Sequence, residues 1–376
     1  MRRFALVFIP VVLCWLNLYS YTGEPGHIEP SLAGDSNIIW FSGYETYPDW
    51  QPAWGQLWHS NPEHHSVVTA DALFGVYSSR VQYPAGGYSS PGGTQYLCAF
   101  SQWPAPEPPY DALYTRYYVR FDPGTDFVKG GKLPGLCGAA CNTGGSKPTG
   151  YDGWSARIMW RGNGKITQYM YHIDQPDIYG EDFDWNYGGC DRYFIPGKWH
   201  SVETYIQMNT VTGGTGNYDG IVRSWLDGEL ALERTNVRFR HDESIKIDHF
   251  YFSTFYGGGD ATWAPSKDEY SQFDNFVISG SYIGECADCV IPPPPTPMPT
   301  PFMIVDEEYL IFDSDNPGWG TVSWGAVTNF NDSTVNHTPG GSESLSAQYS
   351  AGAWGAAGWD AGAASPFDLN PYTHIE

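Results

Sequence analysis

Within GWSARIMWRGNGKITQYMYHID, residues 153–174, a serine and an arginine, then two tyrosines, recur at a spacing of two: Ser155 and Arg157, Tyr169 and Tyr171. Side chains alternate faces along a strand, so each pair shares a face. Gly162-Asn163-Gly164 between them is a hairpin signal, because Asn and Gly accept the positive φ that such turns demand. A three-residue loop sets Arg161 against Lys165, Arg157 opposite Tyr169 and Ser155 opposite Tyr171, which gathers all four on one face. A two-residue loop would shift the register and part Arg157 from both tyrosines. The reverse face, with Ala156, Ile158 and Trp160 against Met170, Gln168 and Ile166, is mostly apolar and is expected to pack on a second sheet. His172 falls on that reverse side and reads as structural. Arginine binds carboxylates in bidentate fashion and phenols move protons, so this face suits chemistry on an acid.

Ordinary cross-strand pairing on a solvated face would account for the same four residues. The local charge argues otherwise. The chain carries 19 basic and 42 acidic side chains, a net charge of −23. From Leu113 to Gln168 the balance inverts: Arg116, Arg120, Lys129, Lys132, Lys147, Arg157, Arg161 and Lys165 stand against Asp122, Asp126 and Asp152, a net of +5. A positive zone in an acidic protein suggests a groove for an anionic ligand. Lys129 and Lys132 lie in VKGGKLPGL, 128–136, read as a loop by its glycines and proline.

The elements that must hold these residues are strands. YTRYYVRF, GIVRSWLDGELAL, IKIDHFYFSTFY and YSQFDNFVIS show β-branched and aromatic residues in polar alternation, bounded by turn formers. No stretch of similar length has helical periodicity. The expected fold is all-β, a concanavalin A-like β-sandwich or jelly roll.

Arg2 and Arg3, the apolar run Phe4–Leu16 and a polar exit near Ser20 mark residues 1–22 as a secretory signal peptide, so the mature chain is expected outside the cell with no membrane span. With Cys14 removed, Cys98, Cys137, Cys141, Cys190, Cys286 and Cys289 remain, and in an oxidising compartment these read as disulfides rather than a zinc site. The run VIPPPPTPMPTPF divides the chain, giving a main domain over 24–289, a linker over 290–301 and an incomplete second β-domain over 302–376. That second domain carries sequons at Asn331 and Asn336 and resembles an accessory carbohydrate-binding module in composition. The acidic balance argues against nucleic acid or anionic membrane as partner. A monomer is expected. Two further clusters are set aside: GEDFDWN around Glu181, Asp182 and Asp184 reads as a solvated loop with calcium binding a second reading, and HSNPEHH lacks metal-ligand spacing.

DFVKGGKLPGL, GYDGWSARIMWR, YMYHI, PGKWHSVETYIQMN, DGIVRSWLDGE and FYFSTFYGGGDATWAP follow one another in an order that resembles polysaccharide lyase family 14 and its relatives, from about Tyr114 to Ser279. The resemblance implies a secreted jelly-roll lyase acting on alginate or glucuronan. It places the essential lysine at Lys132 and matches Ser155, Arg157, Tyr169 and Tyr171 to the family's Ser-x-Arg and Tyr-x-Tyr strands. The loop CGAACNTGGSKPT, 137–149, departs from the pattern and bears on substrate choice. β-Elimination requires a uronate carboxylate to be neutralised while its C5 proton leaves. Arg157 and Lys132 supply charge, and Lys129 and Arg116 are assigned to substrate binding. Tyr169 or Tyr171, with a pKa lowered by the cations, serves as base and acid, Lys132 being the competing base. Ser155 orients the carboxylate or a hydroxyl. Neither metal nor organic cofactor is required. A lectin-like binder of anionic glycan is the rival reading, and a glycoside hydrolase is disfavoured for want of a carboxylate pair.

Overall fold

A computed structural model describes residues 22–24, 27–55 and 57–289, with four short strands beyond them at 320–324, 331–332, 344–345 and 356–360. The chain forms two units, 1–297 and 298–376. In the second unit 320–324 pairs antiparallel with 356–360, and 331–332 with 344–345. The stretches expected to be a signal peptide (apart from Thr22), a linker and most of an accessory domain lie outside the described residues. No helix among the described residues is long and apolar enough to cross a membrane.

The alternating stretches of the first unit become two facing sheets. Seven strands build the one that bears the hairpin: β1 (Leu57–Ser60), β2 (Gly93–Ala99), β3 (Gly130–Ala139), β4 (Gly153–Arg161), β5 (Ile166–Tyr171), β6 (Glu181–Asp184) and β7 (His249–Tyr256). Their order across the sheet is β6-β5-β4-β3-β7-β2-β1, all antiparallel. The opposing nine-stranded sheet is centred on Ala112–Phe121, flanked by Trp199–Gln207 and Glu269–Ser279. Between them Ile158, Trp160, Ile166 and Met170 pack with Tyr117, Val119, Phe121, Val202 and Val222 in one core. Trp160 meets Phe121 edge-on at 5.2 Å, a favourable aromatic geometry. Gln168, the polar member of the core-facing side, is satisfied across the sandwich: Ser224 Oγ of the opposing sheet donates to its Oε1 at 2.9 Å. The all-β sandwich therefore stands as read.

Three expectations change. The stretch 128–136 is not a loop but runs into β3. Its glycines serve the close packing of that strand: a Cβ on Gly131 would lie 2.0 Å from the Trp160 ring, so only glycine fits beneath the indole. GEDFDWN contributes an edge strand, β6, whose pairing with β5 supplies the backbone partners a solvated loop would lack. Of the six cysteines, Cys137–Cys141 and Cys286–Cys289 form disulfides, but Cys98 is buried in the core and Cys190 exposed, and both are free thiols. One inside the sandwich and one on the surface cannot meet.

Candidate active site

The hairpin closes through Gly162-Asn163-Gly164, with Asn163 at φ 59° and Arg161 N donating to Lys165 O at 2.7 Å. Arg157 pairs with Tyr169 and Ser155 with Tyr171, the register that the three-residue loop implies. Lys132, in β3, pairs with Met159 of β4 and Phe255 of β7. Its ammonium therefore lands over the hairpin, with Nζ 2.6 Å from Met159 Sδ and 3.6 Å from the centre of the Tyr169 ring. Arg157 lies 6.0 Å from that ring and 5.3 Å from the Tyr251 ring. These contacts bring Lys132, Arg157 and Tyr169 together, with Tyr171 edge-on to Tyr169 at 5.7 Å.

Neighbouring strands hold the arginine in place. Arg157 Nη1 donates to Ser253 Oγ at 3.1 Å, and Ser253 Oγ donates to Gln95 Oε1 at 3.0 Å. Tyr251 Oη donates to the same Gln95 oxygen at 2.8 Å. Arg157 is 2% exposed and its Nε has no partner. Among the described residues, no carboxylate forms an ion pair with Arg157, Lys132 or Lys129, whereas Arg161 pairs with Asp182, and Lys165 with Asp184 and Asp191. A buried guanidinium without a counter-ion is costly unless a ligand supplies the anion. Gln95, Tyr251 and Ser253 were missed in the sequence. The alternation of HFYFSTFY sets Tyr251 and Ser253 on one face, but their meeting with Arg157 depends on β7 pairing with β2 and β3, strands more than a hundred residues away in sequence.

Both phenols accept hydrogen bonds from loops that wall the site. Gly180 N donates to Tyr169 Oη and Gly145 N to Tyr171 Oη, each at 3.1 Å. Burial, reinforced by Tyr171, raises the Tyr169 pKa above the ordinary phenol range, and the opposing pull of Arg157 does not offset it. This corrects the expectation that the cations lower it. Lys132 moves the other way. Although its side chain keeps some exposure, burial of the ammonium and then repulsion from Arg157 and Arg161 push its pKa well below the usual lysine value, with Asp182 opposing.

Two assigned residues leave the site. Ser155 is fully buried, and its hydroxyl donates to Asn142 O at 2.6 Å, which ties the 137–149 loop to β4 rather than presenting an oxygen to a ligand. Arg116 belongs to the opposing sheet. It is 0% exposed, bonded to Glu29 Oε1 at 2.5 Å and to Gly284 O at 2.8 Å, so it touches no ligand. Arg120 is likewise remote, paired with Asp71. The +5 zone is thus a property of the segment and not of one surface. Lys129 stays at the rim, donating to Thr262 Oγ1 at 2.5 Å. His172, on the core side, lies 2.9 Å from Glu181. His59, His64 and His65 each bond a separate protein oxygen, so they do not converge on a metal.

The model of the family Polysaccharide lyase 14 matches residues 75–276. No curated protein matches the sequence. Among solved structures, the PL-14 alginate lyase from Aplysia kurodai is 25% identical with a TM-score of 0.54, over 64% of this chain and 98% of its own. Alginate lyase Aly36B is 23% identical with a TM-score of 0.54, over 65% of this chain and 98% of its own. A mutant of that enzyme in complex with alginate trisaccharide is 25% identical with a TM-score of 0.52, over 61% and 90%.

Proposed function

This chain belongs to the polysaccharide lyase 14 family, and from that premise we propose that it is a secreted enzyme that cleaves a uronate polymer of the alginate type by β-elimination. The observation that carries the reading is the Lys132 amine, seated between Met159 and the Tyr169 ring beside Arg157, a buried guanidinium with no carboxylate partner among the described residues. The substrate carboxylate supplies that anion and is neutralised by Arg157, which acidifies C5–H. Lys132, whose pKa burial and the neighbouring guanidinium groups hold well below the usual lysine value, takes the C5 proton in its neutral form. The electron pair forms the C4–C5 double bond as the C4–O bond breaks. Tyr169, kept protonated by its raised pKa and oriented by Gly180 N–H, donates its proton to the departing oxygen. Proton transfer from the Lys132 ammonium to the phenolate resets both groups. The 25% identity to alginate lyases, one of them holding an alginate trisaccharide, supports alginate over glucuronan. The apolar run Phe4–Leu16 behind two arginines supports export.

The test follows ultraviolet absorbance of the unsaturated product with polymannuronate, polyguluronate and glucuronan. Absorbance is expected with an alginate block, reduced about 10²–10⁴-fold by Lys132→Ala. Binding to alginate with no absorbance from any polymer would refute the enzyme and leave a lectin.

A further inference from the structure

The mechanism leaves unused a cluster at the rim of the site. Trp263 closes the short turn Ala261–Trp263, where Asp260 caps the turn by accepting from Thr262 N at 2.9 Å. The indole lies against Gly258, whose φ of +149° and missing Cβ allow the contact: a Cβ there would sit 2.3 Å from the ring. Gly257 N donates to Gly130 O at 3.0 Å, which fixes this loop to the start of β3. The ring is half-buried. Two cations flank it: Lys129 Nζ at 5.9 Å and Arg161 Cζ at 5.8 Å from the ring centre. Arg161 Cζ is also 5.9 Å from the Tyr169 ring, so one guanidinium bridges Trp263 and the reacting group.

Resting on the lyase reading above, we propose that Trp263, Lys129 and Arg161 form a second uronosyl subsite, beside the one where bonds break. The indole offers an apolar face for the C–H side of a pyranose, and Lys129, which has no carboxylate partner among the described residues, together with Arg161, shared with Asp182, attracts the carboxylate that an acidic sugar carries. A protein of net charge −23 repels such a polymer over most of its surface, which makes a cationic rim beside the reacting groups selective for where the chain enters. Binding here extends contact along the polymer without touching the reacting atoms. Trp263 and Lys129 therefore act through substrate length.

The experiment uses the full chain carrying Lys132→Ala, which slows turnover about 10²–10⁴-fold, titrated calorimetrically with saturated mannuronate and guluronate di- to hexasaccharides. Affinity is expected to rise tenfold or more, about 1.4 kcal/mol, as the oligomer becomes long enough to reach the rim. Adding Trp263→Ala should abolish that step while the shorter oligomers bind as before, and Trp263→Phe should restore part of it. Adding Lys129→Ala should weaken the same step and reduce its dependence on salt. A length step that survives Trp263→Ala, or weakening that is equal at all lengths, overturns the subsite but leaves the lyase reading intact. Failure of every oligomer to bind overturns both.

Discussion

Removing the Arg161 guanidinium should move the pH profile of the enzyme in a direction fixed by geometry. Lys132 Nζ, Arg157 Cζ and Arg161 Cζ stand 3.6, 6.0 and 5.9 Å from the centre of the Tyr169 ring, so three basic groups crowd one phenol. Two unit charges ~7 Å apart in a medium of effective dielectric ~20 repel by roughly 2 kcal/mol. This repulsion helps to hold the Lys132 pKa down, and Asp182 offsets part of it by sitting against Arg161. Arg161→Gln takes away the repulsion and leaves the Asp182 carboxylate to favour the ammonium. The Lys132 pKa should then rise toward the usual lysine value. A base must be neutral to act, so activity grows as pH rises through this pKa, and a higher pKa moves the acidic limb to higher pH. The assay is initial rate by ultraviolet absorbance at low substrate, giving kcat/KM from pH 5 to 10, which reports groups of the free enzyme. The level of kcat/KM also falls with the weakened rim, but the midpoint alone decides. Arg161→Gln combined with Asp182→Asn should bring the midpoint back toward the parent. A midpoint that stays in place, or moves to lower pH, would refute the assignment of Lys132 as the base.

Other expectations concern stability and the corrected residues. Glu29→Gln leaves Arg116 buried without its counter-ion and should cost about 3–5 kcal/mol in urea unfolding of the main domain, while Arg116→Met with Glu29→Leu should recover most of it. Burial lowers the His65 pKa to about 3, against about 6.5 in the unfolded chain, so the unfolded state binds the extra proton between those values. Stability should therefore fall by up to about 4 kcal/mol as pH drops from 6.5 to 3, and a His65→Gln variant should show a visibly flatter urea midpoint over that range. Ser155→Ala should lower stability by about 1–3 kcal/mol through the unpaired Asn142 carbonyl, with kcat reduced less than tenfold; a loss of a hundredfold or more would return Ser155 to the substrate.

The hairpin was legible because its information is local. Alternation fixes which side chains share a face, and the Gly-Asn-Gly turn fixes the register, so Arg157 and Tyr169 could be paired without knowing any other strand. Facing is not the same as being free, however. Ser155 shares the face of Arg157, yet the 137–149 loop folds over it and takes its hydroxyl, an event no periodicity records. Arg116 went astray for a related reason. Summing charge along the chain assumes that neighbours in sequence are neighbours in space, and in a sandwich successive strands can belong to opposite sheets. The pairing of Gln95 and Ser253 with Arg157 arises from strands distant in sequence. The rise of the Tyr169 pKa was likewise out of reach, since it turns on burial, which lifts the phenol as it lowers the Lys132 amine.

The parts of this site come from two kinds of chain. Lys132, Arg157 and Tyr169 ride on paired strands whose reverse face is locked into the sandwich, down to the hydrogen bond from Ser224 to Gln168. The walls around them, residues 140–150, 176–180 and 257–264, are connections: the first two meet the tyrosines through backbone amides, and the third carries an indole beside Lys129 and Arg161. Inheritance and engineering can therefore treat the two separately. A descendant can lengthen, shorten or exchange a wall and acquire a different diet of polymers, while the frame carries the same reaction forward unaltered. Drift in the frame has no such freedom, because one residue of slippage would turn Arg157 into the core and expose Ile158 in its place.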